Sequence, residues 1–334
     1  MLILKSFLIF TLSFFLIFLC NKKKFLLNQS GDNHQKFTSE ISTPLLGGII
    51  LFLSVFVFNF KRLDLFFFST LAILLVGLLS DLKKLNSPIL RLGFQLFIIL
   101  LTVNFLSLFI LGTKINFLDY LLTNNFFAII FTSFCILIIL NGTNFIDGIN
   151  SLTIGYYIII SLTLFFLEQQ GFTLITYFSL ELMLICLAVL YFLNLFNKLY
   201  LGDSGAYLLG FLFSIELINF YLQNNSISPF FIILLLWYPA FENLFSILRK
   251  TNFKKSPINP DTSHLHQLIF SYFIKKKYAK LKASTVTTIL INSYNGIIVM
   301  VSLIDPHHTK FQIILLTINL TTYTFLYFKL QKRL

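Results

Sequence analysis

The feature that most confines this sequence is a series of about eleven apolar runs, each roughly 16 to 22 residues long, that follow one another along nearly the whole chain. They read approximately as 4–20, 43–59, 64–80, 91–111, 126–141, 151–167, 173–193, 205–222, 229–248, 285–303 and 311–328. A helix needs about 20 residues to cross a hydrocarbon core of about 30 Å. Unpaired backbone groups are too costly in lipid, and the runs lack strand-like alternation, so helices are the expected spanning form. With 57% hydrophobic and only 11% charged residues, the chain also has too little polar surface to coat a soluble globule. The expectation is an all-α integral membrane protein, a single polytopic membrane domain over residues 1–334 with about eleven transmembrane helices. Asn21-Lys22-Lys23-Lys24 follows the first run at once with no small-residue cleavage site, so that run reads as a retained helix.

Lysine and arginine placement sets an expected orientation. Twenty of the 25 fall in alternate loops and the C-terminal tail, and only Lys5, Lys61, Arg62, Lys114 and Lys310 fall on the other side. This puts the N-terminus outside, the C-terminus in the cytoplasm, and cytoplasmic loops at about 21–43, 81–90, 142–150, 194–204 and 249–284. The net charge of +12 is dispersed over membrane edges, which suits anionic head groups and a lipid bilayer partner and gives no footprint for nucleic acid. Cys20, Cys135 and Cys186 lie in or at the ends of apolar runs without ligand spacing and read as packing residues.

Four polar clusters fall on the cytoplasmic side of this topology. Ser80-Asp81-Leu82-Lys83-Lys84 closes the third run, and its aspartate either receives a proton or metal or is a helix-end charge answered by the lysines. Asn141-Gly142-Thr143-Asn144-Phe145-Ile146-Asp147-Gly148-Ile149-Asn150-Ser151 combines amides, two glycines and one acid without a cation, which suits a polar ligand or hydrated metal as well as an ordinary capped turn. Leu201-Gly202-Asp203-Ser204-Gly205-Ala206 opens the eighth run, where a carboxylate and free N–H groups either cap the helix or meet a magnesium–phosphate pair. Ser256-Pro257-Ile258-Asn259-Pro260-Asp261-Thr262-Ser263-His264-Leu265-His266-Gln267 carries two histidines at i and i+2, a spacing that does not share a helix face but lets both reach a phosphate from an extended segment. Together they describe a site for a phosphorylated, metal-bound substrate. Glu181, Glu216 and Glu242 lie inside apolar runs, where an unpaired charge costs about 2.5–3.5 kcal/mol or more, so each is expected to face the bundle interior.

These motifs, in this order from about residue 33 to 270, resemble the polyprenyl-phosphate N-acetylhexosamine-1-phosphate transferases, glycosyltransferase family 4, especially the undecaprenyl-phosphate N-acetylglucosamine-1-phosphate branch and its relative the peptidoglycan translocase. Thr43-Pro44-Leu45-Leu46-Gly47-Gly48-Ile49 resembles the family's Pro-x-x-Gly-Gly segment, and Asp81 the second aspartate of its Asp-Asp pair. Asn144 to Leu152 is similar to the Asn-x-x-Asp-Gly-x-Asp-Gly-Leu loop, with Asp147 on its first aspartate. Asp203 matches the Gly-Asp-x-Gly-Ser magnesium ligand, Pro239, Glu242 and Arg249 resemble the ninth-helix pattern, and Ser256 to His266 the Asp-x-x-His-x-His-His nucleotide-sugar loop. The chain departs from the pattern at Ser80, Asn150, Gln267 and Ala206, which stand in place of aspartate, aspartate, histidine and serine.

The resemblance implies that a polyprenyl (undecaprenyl) phosphate attacks a UDP-N-acetylhexosamine at the cytoplasmic face of a bacterial inner membrane, giving polyprenyl diphosphate-sugar and UMP for envelope polysaccharide. It assigns Asp81, Asp147 and Asp203 to catalysis, Asp203 and Asp147 to magnesium (or manganese), and Asn144, Asn150, Lys83, Glu242, His264 and His266 to substrate. Serine cannot serve as a carboxylate base at neutral pH, so the base at position 80 is open. A homodimer fits the family. The rival readings are a lipid-linked transporter or flippase, which would place acids and helix breaks near mid-bilayer, and a relative that binds without catalysis.

Overall fold

The computed structural model describes residues 2–27, 42–57, 64–252 and 263–334, and its regular structure is helical. The helices are α1 (Leu2–Lys23), α2 (Gly47–Phe52), α3 (Leu65–Asp81), α4 (Pro88–Phe105), α5 (Asn116–Leu122), α6 (Asn125–Ile146) and α7 (Leu152–Gln169), followed by α8 (Leu180–Leu195) and α9 (Gly202–Gln223). The remainder are α10 (Pro229–Leu235), α11 (Trp237–Asn252), α12 (Leu265–Lys275), α13 (Lys280–Ser302) and α14 (Thr309–Gln331), and a π-helical turn, Leu53–Val57, extends α2. Every predicted apolar run carries a helix. Among the described residues seven helices are long and apolar enough to cross a membrane, or eight if the bent pair α10–α11 is one span. Gly47–Phe56, Leu65–Asp81 and Leu180–Leu195 are shorter apolar helices, so the expected eleven crossings reduce to seven or eight on length. The protein is a multi-pass membrane protein.

Local chemistry sets several boundaries. Asn124 accepts from the amides of Phe126 and Phe127 to start α6, and Ser87 and Ser228 cap α4 and α10 ahead of a proline at the first helical position. The bend of 76° between α10 and α11 has a comparable origin. Pro239 has no N–H for the carbonyl four residues back, and the Leu235 oxygen instead accepts from the Tyr156 hydroxyl at 2.7 Å.

One expectation is corrected in the eighth segment. The run 173–193 begins its helix only at Leu180, and Glu181 sits exposed in the first turn of α8 rather than facing the bundle interior. The preceding stretch is held by side chains of α9 and of Asn224, which caps its C-terminus. Asn224 bonds both the N–H and the carbonyl of Thr173 at 3.0 and 2.8 Å, Gln223 does the same for Ile175 at 2.8 and 3.1 Å, and Glu216 accepts from the Tyr177 amide at 3.1 Å. Side-chain amides thus satisfy backbone that would otherwise favour helix. Glu216 and Glu242 are buried, as expected.

The centre of the fold is α9, buried almost from end to end against α3, α6 and α2. Close approach here depends on glycine. A Cβ on Gly77 of α3 would lie 2.2 Å from Ser204 Cα, one on Gly48 of α2 would lie 2.7 Å from Gly205 N, and one on Gly210 would lie 2.6 Å from Leu140 Cα. The chain entering α2 is strung alongside α9's start, with Tyr200 N donating to Pro44 O at 2.8 Å and Gly47 N to Tyr200 O at 3.1 Å. By contrast α1, α4 and α14 turn large apolar side chains outward, among them Phe7, Phe15, Phe97 and Phe325, as helices in contact with lipid do.

Candidate active site

The N-terminus of α9 gathers the ends of three other helices. An α-helix starts with N–H groups that lack intrahelical partners. Here the Asp81 carboxylate, last residue of α3, takes two of them, with Asp203 N at 2.8 Å from Oδ1 and Ser204 N at 3.1 Å from Oδ2. Gly202 makes this possible, because its φ is +74° and a Cβ would lie 2.8 Å from Asp81 Oδ2. Asp81 therefore fixes where the Asp203 side chain points.

Asp203 is surrounded by donors. Its Oδ2 accepts from the Ser80 hydroxyl at 2.5 Å and from Arg91 Nη1 at 2.9 Å, and its Oδ1 accepts from Asn144 Nδ2 at 2.9 Å. Arg91 Nη1 also donates to Ser80 Oγ at 2.6 Å and reaches Tyr207 OH at 3.5 Å. Beneath this layer Asn141 Nδ2 donates to the buried Gln95 Oε1 at 3.1 Å. Arg91 and Gln95 are one turn apart on α4, Asn141 and Asn144 on α6, and Asp203 and Tyr207 on α9, so each helix offers two polar side chains on one face. Arg91, Gln95 and Tyr207 were not singled out from the sequence. Their signal was a polar residue one turn from another inside an apolar run, visible only once the facing helices are known.

The chain leaving α6 links this cluster to the histidines. Asp147 caps α6, and burial together with the charges of Asp203 and Asp81 pushes its carboxyl well above the usual carboxylate range. Asn150 turns inward, donating to Asn197 Oδ1 at 2.7 Å, while its carbonyl accepts from Thr288 at 2.6 Å. Ser151 N bonds Asn194 Oδ1. Lys83 is exposed at a turn with φ +57°, and its ammonium pairs with none of the three aspartates among the described residues.

His264 precedes α12, and Glu242 of α11 anchors it. Glu242 Oε1 lies 2.8 Å from His264 Nδ1 and accepts from Leu265 N at 3.3 Å, and Gln267 Oε1 accepts from His264 N at 3.2 Å. The His264 ring stacks on His266 with centroids 5.6 Å apart and tilts against Phe145 at 5.2 Å. His266 is fully buried, and among the described residues neither ring nitrogen has a hydrogen-bond partner. Burial, opposed by the Glu242 charge, pulls its imidazole down to about 3, so at neutral pH it offers hydrogen bonds and no charge. A Cβ on Gly148 would lie 3.0 Å from His266 Nε2, which places this ring against the loop that carries Asp147. The motif residues 253–262, including Asp261, lie outside the described residues. Replacing Glu242 by leucine strips His264 Nδ1 and Leu265 N of their acceptor and is expected to cost about 2–5 kcal/mol. Thermal unfolding in detergent checks this; an unchanged midpoint would mean that Glu242 does not anchor the histidine segment.

Among the described residues no three His, Cys, Asp or Glu side chains converge closely enough to hold a metal by themselves. Magnesium asks for less, since it commonly takes one or two carboxylates and fills its other positions with water and substrate phosphates. Asp203, with its side chain 26% exposed, and Asp147, near enough to feel its charge, supply hard oxygen donors of that kind. The donor set fits magnesium.

The glycosyl transferase family 4 pattern matches residues 63–221, which hold all three aspartates and Asn144. The chain is 26% identical over 253 residues to the probable undecaprenyl-phosphate N-acetylglucosaminyl 1-phosphate transferase of Bacillus subtilis, covering 71% of this chain and 68% of that protein. It is 28% identical over 236 residues to the undecaprenyl-phosphate alpha-N-acetylglucosaminyl 1-phosphate transferase of Thermotoga maritima, covering 70% of each. The phospho-N-acetylmuramoyl-pentapeptide-transferase of Dictyoglomus thermophilum is 35% identical over 190 residues, 53% of this chain and 60% of that protein.

Proposed function

The chain belongs to glycosyl transferase family 4, and from that premise we propose that it transfers a sugar-1-phosphate from a UDP-N-acetylhexosamine to a polyprenyl phosphate. The observation that carries this reading is the Asp203 carboxylate, held at the start of α9 by Asp81 and ringed by Ser80, Arg91 and Asn144 where the ends of α3, α4, α6 and α9 meet. Similarity to relatives named for undecaprenyl-phosphate N-acetylglucosaminyl transfer supports the substrate pair. The lysine and arginine asymmetry supports a site on the cytoplasmic face of a bacterial inner membrane, with the N-terminus outside and the C-terminus inside.

In the proposed reaction an oxygen of the lipid phosphate bonds to the β-phosphorus, the bond from that phosphorus to the bridging oxygen breaks, and UMP leaves with that oxygen. The lipid phosphate is already largely ionised near neutral pH, so Ser80 is not asked to take a proton. Two anions must meet, and their repulsion is the main barrier that the site lowers. A bound magnesium ion supplies charge neutralisation at the diphosphate oxygens, and Asp203 with Asp147 would hold it. Arg91 brings a fixed positive charge beside Asp203, Asn144 holds the other oxygen of that carboxylate, and neutral His266, buried against the Gly148 loop, backs the segment that carries Asp147.

Membranes containing the protein, given UDP-N-acetylglucosamine, undecaprenyl phosphate and magnesium, are expected to release UMP. Release should stop when the lipid is omitted, when magnesium is chelated, or in Asp203→Ala. Absence of release over a panel of UDP-sugars would instead favour a binding protein without catalysis.

A further inference from the structure

Ser80 occupies a place where the family resemblance expects a carboxylate, and its hydroxyl bridges two charged groups: it donates to Asp203 Oδ2 at 2.5 Å and accepts from Arg91 Nη1 at 2.6 Å. The same Nη1 lies 2.9 Å from Asp203 Oδ2 and 3.5 Å from Tyr207 OH. All these contacts use one guanidinium nitrogen. Among the described residues Nη2 and Nε of Arg91 bond no protein atom, although the side chain is only 24% exposed. A planar guanidinium held at one nitrogen keeps its Nε–Nη2 edge to receive a phosphate.

We propose that Ser80 is a positioning residue that locks Arg91 against Asp203, so that the outer edge of Arg91 binds a substrate phosphate. Lipid phosphate and nucleotide diphosphate share this chemistry, and the inference rests on the phosphoryl-transfer reading above. Serine matters because a carboxylate in its place would stand at hydrogen-bond distance from Asp203 Oδ2. Two carboxylates that close repel unless a proton or cation lies between them, and Arg91 would be drawn into that task. Residues 80 and 91 therefore work as a unit, and restoring the acid that the family pattern expects lowers activity in this chain. Lysine at 91 offers a point charge on a flexible stem and cannot hold Ser80 and Asp203 while presenting a second edge.

The test is a double-substitution cycle in the purified full-length protein, with Ser80→Asp, Arg91→Lys and the pair. Each single change is expected to cut kcat/KM for UMP release about tenfold, and Arg91→Lys to cost less than about threefold once Ser80→Asp is present. A rise confined to KM for the lipid assigns the phosphate to the lipid, and one confined to KM for the UDP-sugar assigns it to the nucleotide. Unfolding midpoints within about 2 °C of the parent exclude a merely structural cause. A second readout needs no turnover: pyrophosphate added with EDTA should raise the unfolding midpoint of the parent but not of either variant. Additive losses, or equal pyrophosphate protection of all four proteins, would overturn the proposal while leaving the transferase reading intact. A parent that is protected by pyrophosphate yet releases no UMP would uphold the phosphate site and sink the transferase.

Discussion

Asp203→Asn is expected to lower UMP release by about a thousandfold or more with little change in thermal stability. Ser80, Arg91 and Asn144 all donate hydrogen bonds to this side chain, and both of its oxygens accept. An amide keeps the shape but turns one acceptor into a donor, which then faces donors whichever way it is flipped. It also removes the negative charge that would bind magnesium and balance Arg91. Loss of one preorganised electrostatic group typically costs 10²–10³ in rate, and here the metal and the Arg91 pairing depend on the same carboxylate. The α9 N-terminus is capped separately by Asp81, so the fold should persist. The measurement is UMP release beside an unfolding curve for the same preparation. A variant retaining a tenth of the parent rate would remove Asp203 from the chemistry.

A structural change of comparable effect is Gly77→Ala, a single methyl group about one helical turn before Ser80 and Asp81. The added Cβ would lie 2.2 Å from Ser204 Cα and 2.7 Å from Ser204 N, backbone atoms that no rotamer change can move. Overpacking of a tight interface ordinarily costs about 1–3 kcal/mol, and a backbone clash belongs at or above the top of that range. Relief requires α3 to shift away from α9, which carries Ser80 and Asp81 off Asp203 and its following amide. The expected result is a clearly lower unfolding midpoint together with loss of most UMP release. Gly93→Ala is the control, since a Cβ there meets nothing within 4 Å and alanine favours helix by about 0.5–1 kcal/mol. If the two variants behave alike, the α3–α9 contact is not what assembles the site.

The outline of this fold could be read in the sequence because lipid leaves a backbone little choice. Every apolar run became a helix, and Ser87-Pro88 and Ser228-Pro229 marked two starts. The misplacement of Glu181 came from the same rule applied too broadly: residues 173–179 are apolar enough to continue a helix, but Asn219 and Gln223 of α9 and Asn224 just after it bind their backbone groups instead. Hydropathy could not anticipate partners supplied by another helix.

The site divides in the same way. Asp81, Asp147 and Asp203 stood out in the sequence because acids at the ends of apolar runs are costly unless they serve a purpose, and local pattern alone determined that they lie at helix ends. Their roles were decided by contacts across 122 or 123 residues of sequence, which turned Asp81 into a clamp on α9 and gave Asp203 its bridge to Ser80. Arg91 appeared in the sequence as one more membrane-edge cation, and the structure makes it the charge partner of Asp203. The physical reason is that hydrophobic patterning acts on each helix independently, through its own solvent. Which polar faces meet depends on how closely helices can approach, and that is set by Gly48, Gly77 and Gly205, whose missing side chains acquire meaning only when the facing backbone is in place.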